Sequence, residues 1–125
     1  MTLSEKCRQL PRITSTNGTI IQGLLVGCYE YPEDVKKFIE KAYELELLQN
    51  NYFEKYNKIL ETKYNELEHD FIYEELTLEE LLTICTFIIR GERFIDGHID
   101  KHLRAGIFQR VVDKILELSK ESTND

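Results

Sequence analysis

The stretch TLEELLTICTFIIR, residues 77–90, constrains this chain more than any other. Thr77 stands at an N-cap position with Glu80 three residues on, the pattern of a capping box, in which each residue satisfies a free amide of the other. Leu76 and Leu81 are spaced to close a hydrophobic staple around it. Beyond the cap the helix is apolar on nearly every side, so it needs cover all round and belongs at the centre of the fold. The remainder of a 125-residue chain must then supply the shell, and one core is what that length supports. The expectation is a mainly α fold: a single small helical domain, residues 1–125, of about five to six helices with a short β-hairpin near the N-terminus.

The flanking segments fit that shell. Leu3, Cys7 and Leu10 have helical spacing, with Ser4 as a candidate cap and Pro11 as the stop. Residues 11–29 read as a hairpin and loop region. Asn17-Gly18 is a two-residue turn signal, Ile20 and Ile21 favour strand, and Gly23 and Gly27 punctuate a third short strand or loop. Pro32 opens a helix whose stripe is Val35, Phe38, Ile39, Ala42 and Tyr43. Gln49-Asn50-Asn51 is a turn, and a second helix covers 52–60. Residues 63–73 are polar and read as a connection with a helical turn. Gly97 interrupts the central helix and a further helix carries Ile99 and Leu103. Gly106 ends that one, and a last helix shows Ile107, Phe108, Val111, Val112, Ile115 and Leu116 on one stripe. The polar tail, 119–125, is expected to fray.

Charge and cysteine content exclude several classes of function. The net charge of −7 is uneven: 15 acids and 6 bases between Glu30 and Glu80 give −9, whereas 6 bases and 4 acids between Arg90 and Lys114 give +2. The acidic half repels phosphate backbones, so nucleic acid is not an expected partner. No apolar run approaches the ~20 residues that cross a bilayer, so no membrane partner is expected either. The N-terminus lacks the basic start and apolar core of a signal peptide. Cys7, Cys28 and Cys85 lie far apart and form no CxxC pair, which fits reduced thiols in a cytoplasm.

The polar string RGERFIDGHI, residues 90–99, follows the apolar helix directly. Continued at 100° per residue, the core face of Leu78, Leu81, Leu82, Cys85, Ile88 and Ile89 reaches Glu92, and then Asp96 if the helix persists. An acid at the end of a core stripe needs a partner, because an unpaired buried carboxylate costs several kcal/mol. Arginine suits it, with Arg93, Arg104, Arg110 and Arg12 as candidates. The group Arg90, Glu92, Arg93, Asp96, His98 and Arg104 is therefore either an ion-pair knot joining late helices to the centre or a pocket for an anion or acid–base work. Phe94 falls opposite Glu92, beside Phe87, so that both faces ask for cover. His98 and His102 stand at i, i+4, a spacing that can hold one metal ion with Glu92 or Asp96 as a third ligand. The glutamate of HExxH is missing, so the two rings read as partly exposed surface histidines, and no metal or cofactor is expected. Cys85 falls on the buried stripe, Cys28 has no base beside it, and no GxSxG, P-loop or dinucleotide fingerprint occurs.

Taken with Tyr31, Phe38, Tyr52 and Gly106, these residues carry a resemblance. The chain resembles, over residues 31–118, an uncharacterised bacterial family, domain of unknown function 6508, with an R-x-E-R-F-x-D-G signature. Here those positions are Arg90, Glu92, Arg93, Phe94, Asp96 and Gly97. The resemblance implies one small intracellular bacterial domain and attaches no activity; His102 is outside its pattern. The expectation is a non-enzymatic protein-interaction domain, with a ligand-binding or enzymatic domain built on Glu92, Arg93, Asp96 and His98 as the alternative.

Overall fold

The computed structural model describes residues 1–21 and 28–121. Its centre is the helix that the capping box begins. α4, Leu78–Gly91, starts at Thr77, whose hydroxyl accepts the Glu80 N–H while the Glu80 carboxylate accepts the Thr77 N–H. Leu76 and Leu81 are both buried, as a staple requires. Every residue from Leu81 to Thr86 is buried, with Ile88 and Ile89. The two threonines tolerate this because their hydroxyls return to the helix, Thr83 to the Glu79 carbonyl at 3.0 Å and Thr86 to that of Leu82 at 2.7 Å.

Helices cover this axis on three sides. α6, Ile107–Glu121, packs along it with Phe108, Val111, Val112 and Ile115 fully buried. α3, Tyr52–Thr62, packs against a second side, where Tyr56 stacks on Phe87 with ring centroids 3.8 Å apart. The short α5, His98–Arg104, packs against both α4 and α6. α2, Glu33–Glu44, buries Val35, Phe38 and Ala42, and Phe38 meets Phe108 edge to face. α1, Leu3–Cys7, lies on α6. Six helices among the described residues, plus a 3-10 turn at Tyr73–Glu75, match the mainly α expectation.

A loop that looked like a simple turn ties the shell to α4. Gln49 donates its backbone N–H to the Thr86 hydroxyl, accepts at its backbone carbonyl from Arg90, and exchanges side-chain bonds with Thr83 and the Glu79 carbonyl. Asn51 turns the chain into α3 through a left-handed conformation, φ 54°. Asp34 does similar work at the other end. Burial works to raise its carboxyl pKa, but hydrogen bonds from the Ser15 hydroxyl and from the Ser15, Thr14 and Val35 amides outweigh it and hold the group at about 2.

Several local readings need correction. Thr2, not Ser4, caps α1, in a capping box with Glu5. Pro32 is the N-cap of α2, one residue before the helix, and Tyr43 is exposed. A strand pair is present near the N-terminus, β1 (Thr19–Ile21) antiparallel to β2 (Cys28–Glu30), with Ile20 opposite Tyr29. Asn17-Gly18 precedes β1 and is not its turn; Gly23, Gly27 and the segment joining the strands lie outside the described residues. Residues 63–73 contain a second small hairpin, β3 (Tyr64–Asn65) with β4 (Asp70–Phe71), seated because Phe71 is buried between the rings of Tyr56, Tyr64 and Tyr73. The tail does not fray at 119: α6 runs to Glu121, and the fully buried Ser119 accepts from Arg8 at its carbonyl. Residues 122–125 lie outside the described residues.

Candidate functional site

The RGERFIDGHI string folds as the junction between α4 and α5. α4 stops at Gly91, Glu92 is its C-cap, and residues 92–97 form a turn before α5 begins. Gly97 makes the reversal possible, with φ 83° and with the ring of Tyr29 so close that an added Cβ would stand 2.6 Å from it.

Glu92 does face inward, but no arginine meets it. Its Oε1 accepts the Tyr31 hydroxyl at 2.7 Å and the Ile99 N–H at 2.8 Å, and its Oε2 accepts the Gly97 N–H at 2.9 Å. The carboxylate thus sits on the first turn of α5 and satisfies amides that the helix leaves free at the favourable end of its dipole. The expectation of a guanidinium on Glu92 fails for this reason: the neutralising groups are backbone amides and a phenol. Tyr31 completes the turn, since the same hydroxyl accepts the Asp100 N–H at 3.1 Å. Burial, then the hydrogen bond to Glu92, pushes the Tyr31 hydroxyl pKa far up, so it remains a donor.

At this junction the acid that pairs with a guanidinium is Asp100. It is 6% exposed, accepts the Gly18 N–H at 2.6 Å and pairs with Arg104 at 2.8 Å. Gly18 is therefore an anchor of the N-terminal segment on α5, not a hairpin tip. The other arginines are engaged elsewhere. Arg93 is exposed and donates to the Tyr43 hydroxyl, Arg12 pairs with Asp113, and Arg110 pairs with Asp70 while lying over the Tyr73 ring. Arg90 donates to the Gln49 carbonyl and lies 5.8 Å from the centroid of Tyr52. Asp96 is exposed, because the helix that would have carried it inward has already ended. Of the six candidates, Asp100's partner Arg104 and the capping Glu92 belong to one hydrogen-bonded region. Arg90, Arg93 and Asp96 do not converge on it.

His98 and His102 are buried, each 8% exposed, where surface histidines were expected. Their rings stand 4.6 Å apart with Phe87 edge-on to both, and His98 lies against Gly91. His102 Nδ1 is 2.8 Å from the His98 carbonyl, which the neutral ring satisfies as an N–H donor. The third ligands imagined for a metal are turned away, Glu92 onto Tyr31 and Asp96 into solvent, and among the described residues no three His, Cys, Asp or Glu side chains gather around a metal-sized point. Burial lowers the pKa of both histidines, and for His98 the neighbouring His102 lowers it further. The folded state therefore resists protonation that the unfolded chain accepts below about 6.5. Stability is expected to be complete above that pH and to fall as pH drops through it, by at most ~1.4 kcal/mol per pH unit for each ring. Urea melts between pH 7.5 and 5.5 measure this; a His98→Asn/His102→Asn variant should flatten the slope, and an equal slope in wild type and variant would refute it.

The residues whose structural role sequence reading missed are Tyr31, Asp100, Gly18 and Gln49. Only Asp100 left a local trace, its i, i+4 spacing to Arg104. Cys85 and Cys7 are buried thiols with raised pKa, Cys7 up to about 11, and Cys28 is exposed.

Fold and site together define a small helical protein with an apolar central axis and a carboxylate-capped turn at its end. The chain belongs to a family of unknown function, DUF6508, whose model matches residues 10–121. No curated protein and no solved structure matches it. No helix among the described residues is long and apolar enough to cross a membrane.

Proposed function

We propose that this protein is a non-enzymatic interaction module of the cytoplasm that contacts another protein through the 92–97 turn. One observation carries the reading: Phe94 and Ile95 stand 75% and 62% exposed on a turn fixed from beneath by three hydrogen bonds to Glu92. Apolar side chains held out on a pre-formed turn lose little freedom on binding, which is where association energy is usually spent. Sequence periodicity asked for Phe94 to be covered, and among the described residues it stays largely open. Ile20 on β1 is 54% exposed, on the strand pair whose Tyr29 lies against Gly97. Arg93 and Asp96 stand on the same turn as Phe94, both exposed. The matching partner surface is an apolar socket with a rim of mixed charge. Three free thiols support the cytoplasmic setting.

The test compares wild type with Phe94→Glu/Ile95→Glu as immobilised bait in a lysate of the source organism. Both side chains are exposed, so the melting curve should move by no more than about 0.5 kcal/mol. A protein retained by wild type and absent from the variant supports the proposal. Identical retention by both, or none by either, sinks it. A dimer of the free protein that the variant dissociates reassigns the partner to a second copy of the chain.

A further inference from the structure

On a different face, a cleft of about 440 Å³ opens between α3 and the first turns of α4. Such a volume lies within the range of small-molecule pockets, roughly 300–1,000 Å³. Its floor is Ile59, 2% exposed, and its α3 wall is Lys55, Lys58 and Thr62, which fall on one side of that helix by their spacing. The α4 wall presents Thr83 and the side of the Thr77 cap.

The charges in the cleft do not cancel. Lys63 is neutralised by Glu80 at 2.6 Å. Lys55 has only the Gln49 Oε1 at 3.4 Å, and Lys58 makes no ion pair among the described residues. One carboxylate, Glu79, remains on the rim. Two unpaired ammonium groups thus share a concave, partly apolar surface inside the stretch of sequence that is otherwise the most acidic, with its balance of −9. Both ammonium groups border the hollow. Their aliphatic stems extend the apolar wall toward the charged ends.

We propose that this cleft binds a small organic anion, its charged head held by Lys55 and Lys58 and its apolar body lying along the aliphatic stems of the lining lysines, above the buried Ile59. The two cations supply recognition of the head as point charges, which does not by itself separate a carboxylate from a phosphate monoester. The apolar floor favours a short hydrocarbon tail over a bare ion. Nothing in this site depends on the 92–97 turn, so the two proposals stand or fall separately.

Calorimetric titration at low salt with hexanoate, hexyl phosphate, acetate, inorganic phosphate and hexan-1-ol tests it. Hexanoate or hexyl phosphate is expected to bind, and the tighter of the two identifies the head group. Acetate, inorganic phosphate and hexan-1-ol should each bind at least tenfold more weakly. Lys55→Gln/Lys58→Gln should lose at least tenfold in affinity with an unchanged melting curve, while Lys120→Gln on α6 should not. Hexan-1-ol binding as tightly as hexanoate, undiminished binding by the double variant, or no heat from any anion at millimolar concentration overturns the proposal.

Discussion

Replacing Glu92 with alanine is expected to destabilise the protein by about 3–4 kcal/mol, because three donors lose one charged acceptor at once. The Tyr31 hydroxyl and the Gly97 and Ile99 amides all end on this carboxylate, and the region is half-buried, so solvent replaces it only in part. The loss is also a loss of position. Without the carboxylate the Gly97 and Ile99 amides at the start of α5 lose their acceptor, and the Tyr31 hydroxyl that accepts from Asp100 loses its anchor. Glu92→Gln keeps the shape and one acceptor oxygen, and should recover roughly half of the loss. Arg93→Ala gives the contrast. An ion-pair knot at this motif predicts a cost of several kcal/mol for that substitution too, but Arg93 is exposed with one hydrogen bond to Tyr43, so about 0.5 kcal/mol or less is expected. Urea unfolding followed by circular dichroism separates the two. Equal effects of Glu92→Ala and Arg93→Ala would restore the ion-pair knot and remove the capping role.

Gly91→Ala, a change that favours helix by intrinsic propensity, is expected to cost about 1–2 kcal/mol net instead. The new Cβ would stand 2.3 Å from Cδ2 and 2.4 Å from Nε2 of His98. That ring is 8% exposed and wedged against His102 at 4.6 Å and Phe87 at 5.0 Å, so it has little room to yield. Overpacking of a filled site typically costs 1–3 kcal/mol and here exceeds the ~1 kcal/mol that alanine gains over glycine in a helix. The diagnostic measurement is a double-mutant cycle with His98→Ala. Removing the ring makes room for the methyl, so the two losses should fall short of adding by at least about 1 kcal/mol. Additive losses would mean that Gly91 matters for some reason other than the imidazole.

What the sequence disclosed and what it withheld divide along physical lines. The capping box at Thr77, the burial of Ile88 and Ile89, and the break at Gly106 depend on neighbours within a turn or two of helix, and they were legible, whereas the central helix stops at Gly91, well before the interruption expected at Gly97, which instead begins α5. The inward direction of Glu92 followed from helical phase. Its partners did not, because phase says where a side chain points and not what waits there. Tyr31 lies 61 residues away and Gly18 lies 82 residues from Asp100, separations at which no local pattern operates. Asn17-Gly18 misled for the same reason. The dipeptide suits a tight turn, but Gly18 is committed to Asp100, and the strand pair forms beyond it. The junction residues 92–97 were assigned as a polar cluster; the helix ended one residue before Glu92, which released Asp96 and Phe94 to solvent.

The thiol inventory has a practical corollary. Cys7 and Cys85 are closed off in the interior, while Cys28 sits in the open at the start of β2, beside the Tyr29 that rests on Gly97. The native chain therefore offers one addressable attachment point for a fluorophore or spin probe, already located next to the surface whose occupancy one would wish to follow.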